Sequence, residues 1–300
     1  KPAPCTLPDN HPLIAGFMPA RLDPISPILA FGMESQGWDM SMSAYDLPRY
    51  LDWFQSYVRG FYGCSVEDDA NIDLKKDHSL RVLQEAGMIT AALQLAASLA
   101  DVVHIAALLH DVGRFPQYRQ FKTYNDRESI NHAREGTVVM RDSGVLDGLL
   151  PEDRKLVLGA IFLHNRPVLP TRLSSAQSLI VRILQDADKL DIIPTVIANL
   201  DPAAPSRRVV SLGLQLDPSQ YSVAVYNNIA GRRTVNMSEM VWLNDFILML
   251  LGWLPTLNFP ASRRAVLERD YPERLLALLP PRQELLALGE DIRSSLTAEN

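Results

Sequence analysis

The chain has 300 residues, of which 47% are hydrophobic and 21% are charged, so it can bury a large core in one or two domains. Its formal net charge is −6 and its isoelectric point is near 5.5. This balance argues against a general nucleic-acid-binding protein, because such proteins present a basic surface. The two cysteines form no CxxC pattern, which favours a reducing compartment without a disulfide framework.

The apolar runs are too short for membrane insertion. The first residues are interrupted by prolines and contain no run typical of a signal peptide. The strongest apolar run, residues 246–254, has about half the length that a helix needs to cross a bilayer. We therefore expect a soluble, cytoplasmic protein that binds neither a membrane nor an extended nucleic acid.

The predicted elements divide the chain into three parts. Residues 1–43 are rich in proline and have no sustained period, so we expect an irregular arm. In residues 44–200, apolar residues recur at helical spacing and predict a helical domain. Residues 201–300 predict further helices packed on that domain. Strands do not alternate with helices, so the predicted fold class is all-α, a helical bundle with extra C-terminal helices.

The predicted helices follow in chain order. An amphipathic helix ends between Gly60 and Gly63, and an acidic loop is predicted at 67–69. A second helix is predicted to carry residues 74–88 and a third to span 89–99, and Asp101 is expected to cap the next one. Further predictions are a loop with broken helical turns at 114–127, helices at 129–140, 152–164, 175–193, 240–254, 262–279 and 281–297, and either helix or a short hairpin within 208–237.

A buried helix is predicted over 102–109, where His104 is the single polar residue. This helix delivers His110 and Asp111 side by side, and Gly113 lets the backbone leave it. Burying an imidazole and a carboxylate costs free energy unless a partner satisfies both. A divalent metal ion would do so. The alternative is an ordinary helix end, with the histidine near the negative end of the helix dipole.

Polar side chains that could bind metal recur along this domain, on or at the ends of different apolar helices. Four of the six histidines are among them. A helical bundle can bring one inward-facing side chain from each helix to a common point. Imidazole and carboxylate without cysteine suit iron, manganese, nickel, cobalt or zinc, and the set suffices for two ions bridged by an aspartate. Its members are His78, His110, Asp111, His132, His164 and Asp188.

The order H…HD…D resembles that of the HD-domain superfamily of metal-dependent phosphohydrolases, over roughly residues 70–195. Two further histidines are similar to those of its dinuclear members. The strings that carry the resemblance are His78-Ser-Leu-Arg-Val, Leu109-His110-Asp111-Val-Gly113-Arg114, His132-Ala-Arg-Glu-Gly136, Phe162-Leu-His164-Asn165 and Asp186-Ala187-Asp188-Lys189-Leu190.

The resemblance implies an enzyme that hydrolyses a phosphate ester or anhydride. It would be a phosphomonoesterase or phosphodiesterase acting on a small phosphorylated molecule, with a nucleotide as one option. A metal-activated hydroxide would attack phosphorus in line. By this resemblance, one ion would be bound by His78, His110, Asp111 and Asp188, and a second by Asp111, as a bridge, with His132 and His164.

Three cationic residues are the predicted substrate contacts. Many dinuclear members have the motif HDxGK, whereas this chain has Arg114 at the last position. A guanidinium can bind phosphate through two hydrogen bonds, so the electrostatic role survives the change. Arg114, with Lys122 or Lys189, would offset the charge that grows on the phosphoryl oxygens. Asp111 and Arg114 are accordingly the predicted catalytic residues.

Several nearby residues are interpreted as lying outside the site. Asp186 and Asp188 lie about 200° apart on a helix, so only one can face the ions. Asp188 is preferred because Ala187-Asp188 matches the short Ala-Asp sequence of the family. Asp186 would then face solvent or contact a metal-binding side chain. Asp191 is interpreted as a surface charge. His104 lies about 240° around the helix from His110. It is interpreted as a core histidine or as one that contacts a metal-binding side chain.

Two other functions are compatible with the same residues. A sensor would bind a nucleotide in this pocket without turnover, and a structural metalloprotein would use the ions to stabilise its fold. The polar segment after Arg114 favours a substrate pocket over a closed structural site. The sequence leaves the oligomeric state open, with a homodimer as one option.

Overall fold

The structure, a computed structural model, describes residues 44–200 and 213–298. Within these ranges all regular structure is helical, apart from one isolated bridge between Gln215 and Trp242. The predicted all-α fold class is therefore confirmed. The predicted arm, residues 1–43, lies outside the described residues. No helix of the described ranges is long and apolar enough to span a bilayer.

The chain divides into two compact units, Lys1–Leu184 and Gln185–Asn300. The predicted boundary at residue 200 and the predicted packing of the C-terminal helices on the first domain stay predictions. The first unit contains α1 (Leu47–Arg59), α2 (Val66–Ala92), α3 (Ala97–Leu109), α4 (Arg114–Phe121), α5 (His132–Ser143) and α6 (Pro151–Leu163). Helix α7 (Ser175–Asn199) begins in the first unit and ends in the second. The second unit also contains α8 (Val223–Ala230), α9 (Leu243–Trp253), α10 (Pro260–Glu268), α11 (Tyr271–Leu276) and α12 (Gln283–Thr297).

Helix α3 is the centre of the first unit. Every residue from Asp101 to Leu109 is buried, and α3 packs against α1, α2 and α6. A helix that is apolar on all faces is stable in water only when other helices surround it. This confirms the prediction of a buried helix over 102–109, and it places the residues that follow in the interior of the unit.

Helix α2 covers the predicted acidic loop, the predicted second helix and the first four residues of the predicted third helix. The Ser65 hydroxyl caps it by accepting a hydrogen bond from the Asp68 backbone N–H at 3.0 Å. The acidic residues 67–69 lie in its first turn, where they offset the positive end of the helix dipole. The predicted acidic loop and the helix break at residue 89 are therefore wrong, since the break falls at 93–96.

Asp101 does not cap α3, contrary to the prediction. It lies inside the helix, whose N-cap position is occupied by Ala96. Its carboxylate accepts hydrogen bonds from the backbone N–H groups of Ala44 at 2.7 Å and Tyr45 at 3.1 Å. Asp101 thus ties the start of the described chain to the central helix.

Two other predicted segments differ from the structure. Part of the predicted loop 114–127 is helix α4, and Pro116 is tolerated because it lies in the first turn, where no intrahelical acceptor is available. The predicted helix 262–279 is two helices, separated where Asp270 adopts a left-handed conformation with φ of 54°. Within 213–230, helix α8 agrees with the helical alternative to a hairpin.

Gly113 lets the turn after α3 lie against the start of α5. Its φ is −69°, so the turn needs no left-handed residue, and the predicted reason for this glycine is incomplete. A Cβ at this position would lie 2.1 Å from the His132 carbonyl oxygen and 2.6 Å from the Gly136 backbone N. The missing side chain therefore permits the close approach of α5 to the end of α3.

His104 points towards α2. Its Nε2 lies 3.0 Å from the Thr90 hydroxyl, and the imidazole is buried, which agrees with its interpretation as a core histidine. Burial lowers the pKa of His104 to about 4, although the charge of Asp101 acts in the opposite direction. The imidazole is therefore neutral in the folded protein at neutral pH.

Buried carboxylates fix loops of the second unit. Asp245 accepts hydrogen bonds from the backbone N–H and the hydroxyl of Ser222, at 2.6 and 2.7 Å. Asp186 accepts hydrogen bonds from the backbone N–H groups of Asn258 at 2.9 Å and Phe259 at 3.1 Å. Such bonds satisfy groups that would otherwise be costly to bury. Asp186 is thus a buried structural residue, and the solvent-facing alternative predicted for it is wrong.

The substitution Gly113→Ala should destabilise the first unit, because the added methyl group would overlap the backbone of α5. We expect a loss of about 1–3 kcal/mol in the free energy of unfolding, measured with urea. Gly60→Ala is the matched control, because Gly60 has a similar φ of −67° and an added Cβ would meet only the Tyr57 carbonyl oxygen, at 3.4 Å. Equal losses in both variants would contradict this account of Gly113.

The substitution His104→Gln should reduce the loss of stability in acid. The unfolded His104 takes up a proton near pH 6.5 and the folded one only near pH 4, so stability falls as the pH drops through this window. Over this whole window, protonation of His104 lowers the free energy of unfolding by about 3 kcal/mol. Urea unfolding of both proteins at neutral pH and at about pH 4.5 should show a smaller decrease for the variant. Equal decreases would contradict a buried neutral His104.

Candidate metal centre

Asp111 lies at the centre of a group of buried histidines. Its Oδ2 is 3.5 Å from His78 Nε2 and 3.7 Å from His110 Nε2. Its Oδ1 is 3.4 Å from His132 Nε2 and 3.8 Å from His164 Nε2. Each carboxylate oxygen thus faces a different pair of histidines. A carboxylate in this orientation can bridge two metal ions.

Four elements of the first unit deliver these side chains. His78 lies on α2, while His110 and Asp111 follow the last residue of α3. His132 is the first residue of α5, and His164 follows the last residue of α6. The structure therefore brings together residues that are up to 86 positions apart in sequence, counted from 78 to 164.

The proton of three histidines is held on the nitrogen that points away from Asp111. His110 and His164 each donate an Nδ1–H hydrogen bond of 2.7 Å to the carbonyl three residues earlier in the chain. His132 donates its Nδ1–H to the Asp126 carboxylate at 2.7 Å. In each case Nε2 is left with a lone pair that faces the common point, which is the form in which imidazole binds metals.

The donor set fits divalent metal ions. The Nε2 atoms of His132 and His164 are 3.0 Å apart, so two lone pairs face each other at close range. A shared cation removes that repulsion. The Nε2 atoms of His78 and His110 are 3.3 Å apart, and ligand atoms of His110, Asp111 and His164 all lie within 4.8 Å of one another. Imidazole and carboxylate are ligands for several first-row transition metals.

Positive charges offset the charge of Asp111. Lys75 Nζ lies 2.9 Å from Oδ2, and Arg114 Nε lies 3.4 Å from Oδ1. Burial alone would raise the pKa of the Asp111 carboxyl, but the nearby charges, Lys75 first among them, hold it well below its usual value. Burial, aided by the charge of Arg114, lowers the pKa of His132 to about 4. The carboxylate is therefore ionised and this imidazole neutral at pH 7.

Lys75 is a site residue that the sequence reasoning missed. It lies on α2 three residues before His78, a spacing that places both on one face of the helix. Its side chain is 16% exposed, and Nζ also lies 5.5 Å from the centre of the Tyr124 ring. The spacing from a predicted ligand is the signal that could have identified it.

Arg114 is held by contacts within the first unit. Its Nη1 donates hydrogen bonds to Gln117 Oε1 at 3.0 Å, to the Tyr124 carbonyl and to Asp126 Oδ1 at 2.8 Å. Its Nε–H is buried and has no hydrogen-bond partner among the described residues, although it faces Asp111. One donor of this guanidinium is therefore available for a ligand oxygen.

The other two predicted substrate cations have partners of their own. Lys122 Nζ lies 2.7 Å from Asp68 Oδ1, and its side chain is 45% exposed. Lys189, in the second unit, donates a hydrogen bond of 3.1 Å to the Thr256 hydroxyl. Their role in substrate binding stays a prediction.

Asp188 lies on α7 within the second unit and is half-buried. Its assignment as a metal ligand stays a prediction. The structural role of Asp186 supports the choice between the two aspartates, because that carboxylate is already occupied. Asp191 is buried, so its predicted surface position is wrong.

Comparison with known proteins identifies one family. Residues 76–193 match the family model of the HD domain. No curated protein and no solved structure matches the chain. The matched range contains Asp111 and the four histidines around it, and HD domains are mostly metal-dependent hydrolases with a helical fold. Residues 76–193 are therefore identified as an HD domain, which supports membership of the HD-domain superfamily.

Proposed function

We propose that the protein is a dinuclear metal-dependent phosphohydrolase that cleaves a phosphate ester or anhydride of a small molecule. One observation carries this proposal: the two oxygens of Asp111 face two separate pairs of histidines. A structural site for one tetrahedral ion needs only four ligands. A shared carboxylate between two pairs is the arrangement that two-ion hydrolytic sites use.

The ligand types leave iron, manganese, nickel, cobalt and zinc as candidates for the two ions. When bound, the ions would supply Lewis acidity, which lowers the pKa of water towards about 7 and polarises the phosphoryl group. The residues that would hold one ion are His78, His110, Asp111 and Asp188, and those for the other are Asp111, His132 and His164.

The protein's own residues prepare the site for an anion. Asp111 is ionised, so it can act as a ligand without first losing a proton. Lys75 and Arg114 lie beside its two oxygens and bring two cationic side chains to the site. A phosphoryl group would bring negative charge to these cations, and charge-assisted hydrogen bonds from them would strengthen as charge develops on its oxygens.

The substrate class follows from charge and burial. The site lies among buried side chains, and the chain carries a net charge of −6, which disfavours a long polyanion. We therefore propose a small phosphorylated molecule, with a nucleotide as one candidate, cleaved by phosphomonoesterase or phosphodiesterase chemistry. The scarcity of cysteine supports a cytoplasmic location, and a homodimer stays a prediction.

The flanking cations also bear on the two alternatives. A site that holds metal only to stabilise the fold has no use for Lys75 and Arg114, because positive groups repel the ions. A nucleotide sensor would use both cations but show no turnover. The observation that favours an anionic ligand therefore supports an enzyme or a sensor over a structural centre.

The proposed function is tested by metal content and turnover together. We expect the purified protein, reconstituted with manganese or iron, to bind about two ions per chain and to hydrolyse members of a phosphoester and nucleotide panel. Asp111→Ala should abolish both properties. Asp142→Ala is the matched control, since this exposed carboxylate pairs only with Arg141 among the described residues.

Each other outcome contradicts a named part of the proposal. Unchanged metal content in Asp111→Ala would refute the bridging role. Tight nucleotide binding without turnover on any substrate would support a sensor. Bound metal with neither turnover nor ligand binding would support a structural centre.

Substitution of Lys75 by Gln should change metal binding and turnover in opposite directions. Removal of the cation next to Asp111 should strengthen metal binding. Loss of a charge-assisted contact to phosphate should lower kcat/KM by about 10- to 100-fold. Lys76→Gln is the matched control, because the neighbouring Lys76 pairs with Asp73 at 2.5 Å. Equal turnover in the two variants would exclude a substrate role for Lys75.

A further inference from the structure

Asp126 lies directly behind one of the two histidine pairs. Its carboxylate accepts the Nδ1–H hydrogen bond of His132, with oxygen distances of 2.7 and 2.8 Å. It also accepts hydrogen bonds from Arg114 Nη1 at 2.8 Å and Gln117 Nε2 at 2.9 Å. A longer contact of 3.5 Å comes from Asn165 Nδ2. Neither composition nor spacing singled out this residue.

The partner of His132 differs from those of two other histidines at the centre. His110 and His164 donate their Nδ1–H groups to neutral backbone carbonyls. His132 donates to a carboxylate. A carboxylate behind a ligating imidazole fixes the ring orientation and makes the imidazole a stronger ligand. Among these three histidines, His132 is therefore the one whose imidazole is backed by a negative charge.

We propose that Asp126 is a positioning residue for one of the two ions, the ion at the side of His132 and His164. It supplies negative charge through His132 without touching the ion. The inference rests on the proposed two-ion function, because it assigns a separate affinity to one of the two positions. It predicts that loss of this charge weakens one position and leaves the other unchanged.

The same carboxylate links this ion position to the substrate cation. Asp126 holds Arg114 through Nη1, and Arg114 Nε lies 3.4 Å from Asp111 Oδ1. Gln117 also donates to the Ser129 hydroxyl at 2.8 Å, which fixes the segment between α4 and α5. A change at residue 126 should therefore affect both metal affinity and phosphate binding on this side.

Two substitutions separate charge from hydrogen bonding. Asp126→Asn keeps the shape of the side chain and an acceptor oxygen but removes the charge, whereas Asp126→Ala removes both. The matched control is Asp101→Asn, because Asp101 is a buried carboxylate that accepts two backbone hydrogen bonds at the start of the described chain.

Binding of Mn²⁺ to the full chain is measured by calorimetry and by electron paramagnetic resonance. We expect wild-type protein to show two binding events. In Asp126→Asn one of the two events should lose about 10-fold in affinity, and in Asp126→Ala about 100-fold, while the other event stays within about 2-fold. Asp101→Asn should retain both wild-type affinities even if its thermal stability falls.

A second readout follows His132 itself. Nitrogen-15 NMR of labelled histidine in the metal-free protein should show His132 protonated at Nδ1 in the wild type. In Asp126→Ala the proton should redistribute between the two ring nitrogens, while His110 and His164 keep their tautomer. A role confined to folding would shift all histidine signals together.

Failures of the two proposals are distinguishable. Wild-type protein with a single Mn²⁺ event would overturn the two-ion function and this inference together. Two wild-type events that both remain unchanged in Asp126→Ala would overturn only the role of Asp126. Equal weakening of both events in Asp126→Asn would overturn it too, because the effect would then not be confined to one side.

Discussion

The buried charge of Asp111 is the constraint on which the site depends. Removing a carboxylate from water costs several kcal/mol unless partners compensate it. Its side chain is about 3% exposed, and Lys75, Arg114 and the histidine pairs surround it. The burial itself follows from α3, whose apolar residues require cover on every face. The helix that forms the core thus also creates the electrostatic demand that metal ions would meet.

The precision of the site depends on contacts between neighbouring elements. The absent side chain of Gly113 allows α5 to begin against the end of α3, which brings His132 to 3.4 Å from Asp111. Asp126 then holds the far side of the His132 ring and the guanidinium of Arg114. Packing and hydrogen bonding therefore act on the same few atoms, and a shift of one of them changes both ligand geometry and charge.

The sequence predicted what depends on composition and period, and failed where contacts between distant segments decide. The all-α class, the buried helix 102–109 and the core position of His104 were predictable from hydrophobic patterning. The acidic turn at 67–69 was misjudged because a single capping serine turns such a loop into a helix start. The role of Asp126 could not be predicted from the sequence, since it is defined by a partner on another element, whereas Lys75 was indicated only by its position three residues before His78. The assignments of Asp188, Lys122 and Lys189 stay predictions.

The most direct test of the account is anomalous X-ray diffraction from crystals grown with manganese. We expect two anomalous peaks about 3.5–4 Å apart, on opposite sides of the Asp111 carboxylate, with one histidine pair beside each peak. A single peak, or two peaks that share no contact with Asp111, would contradict it.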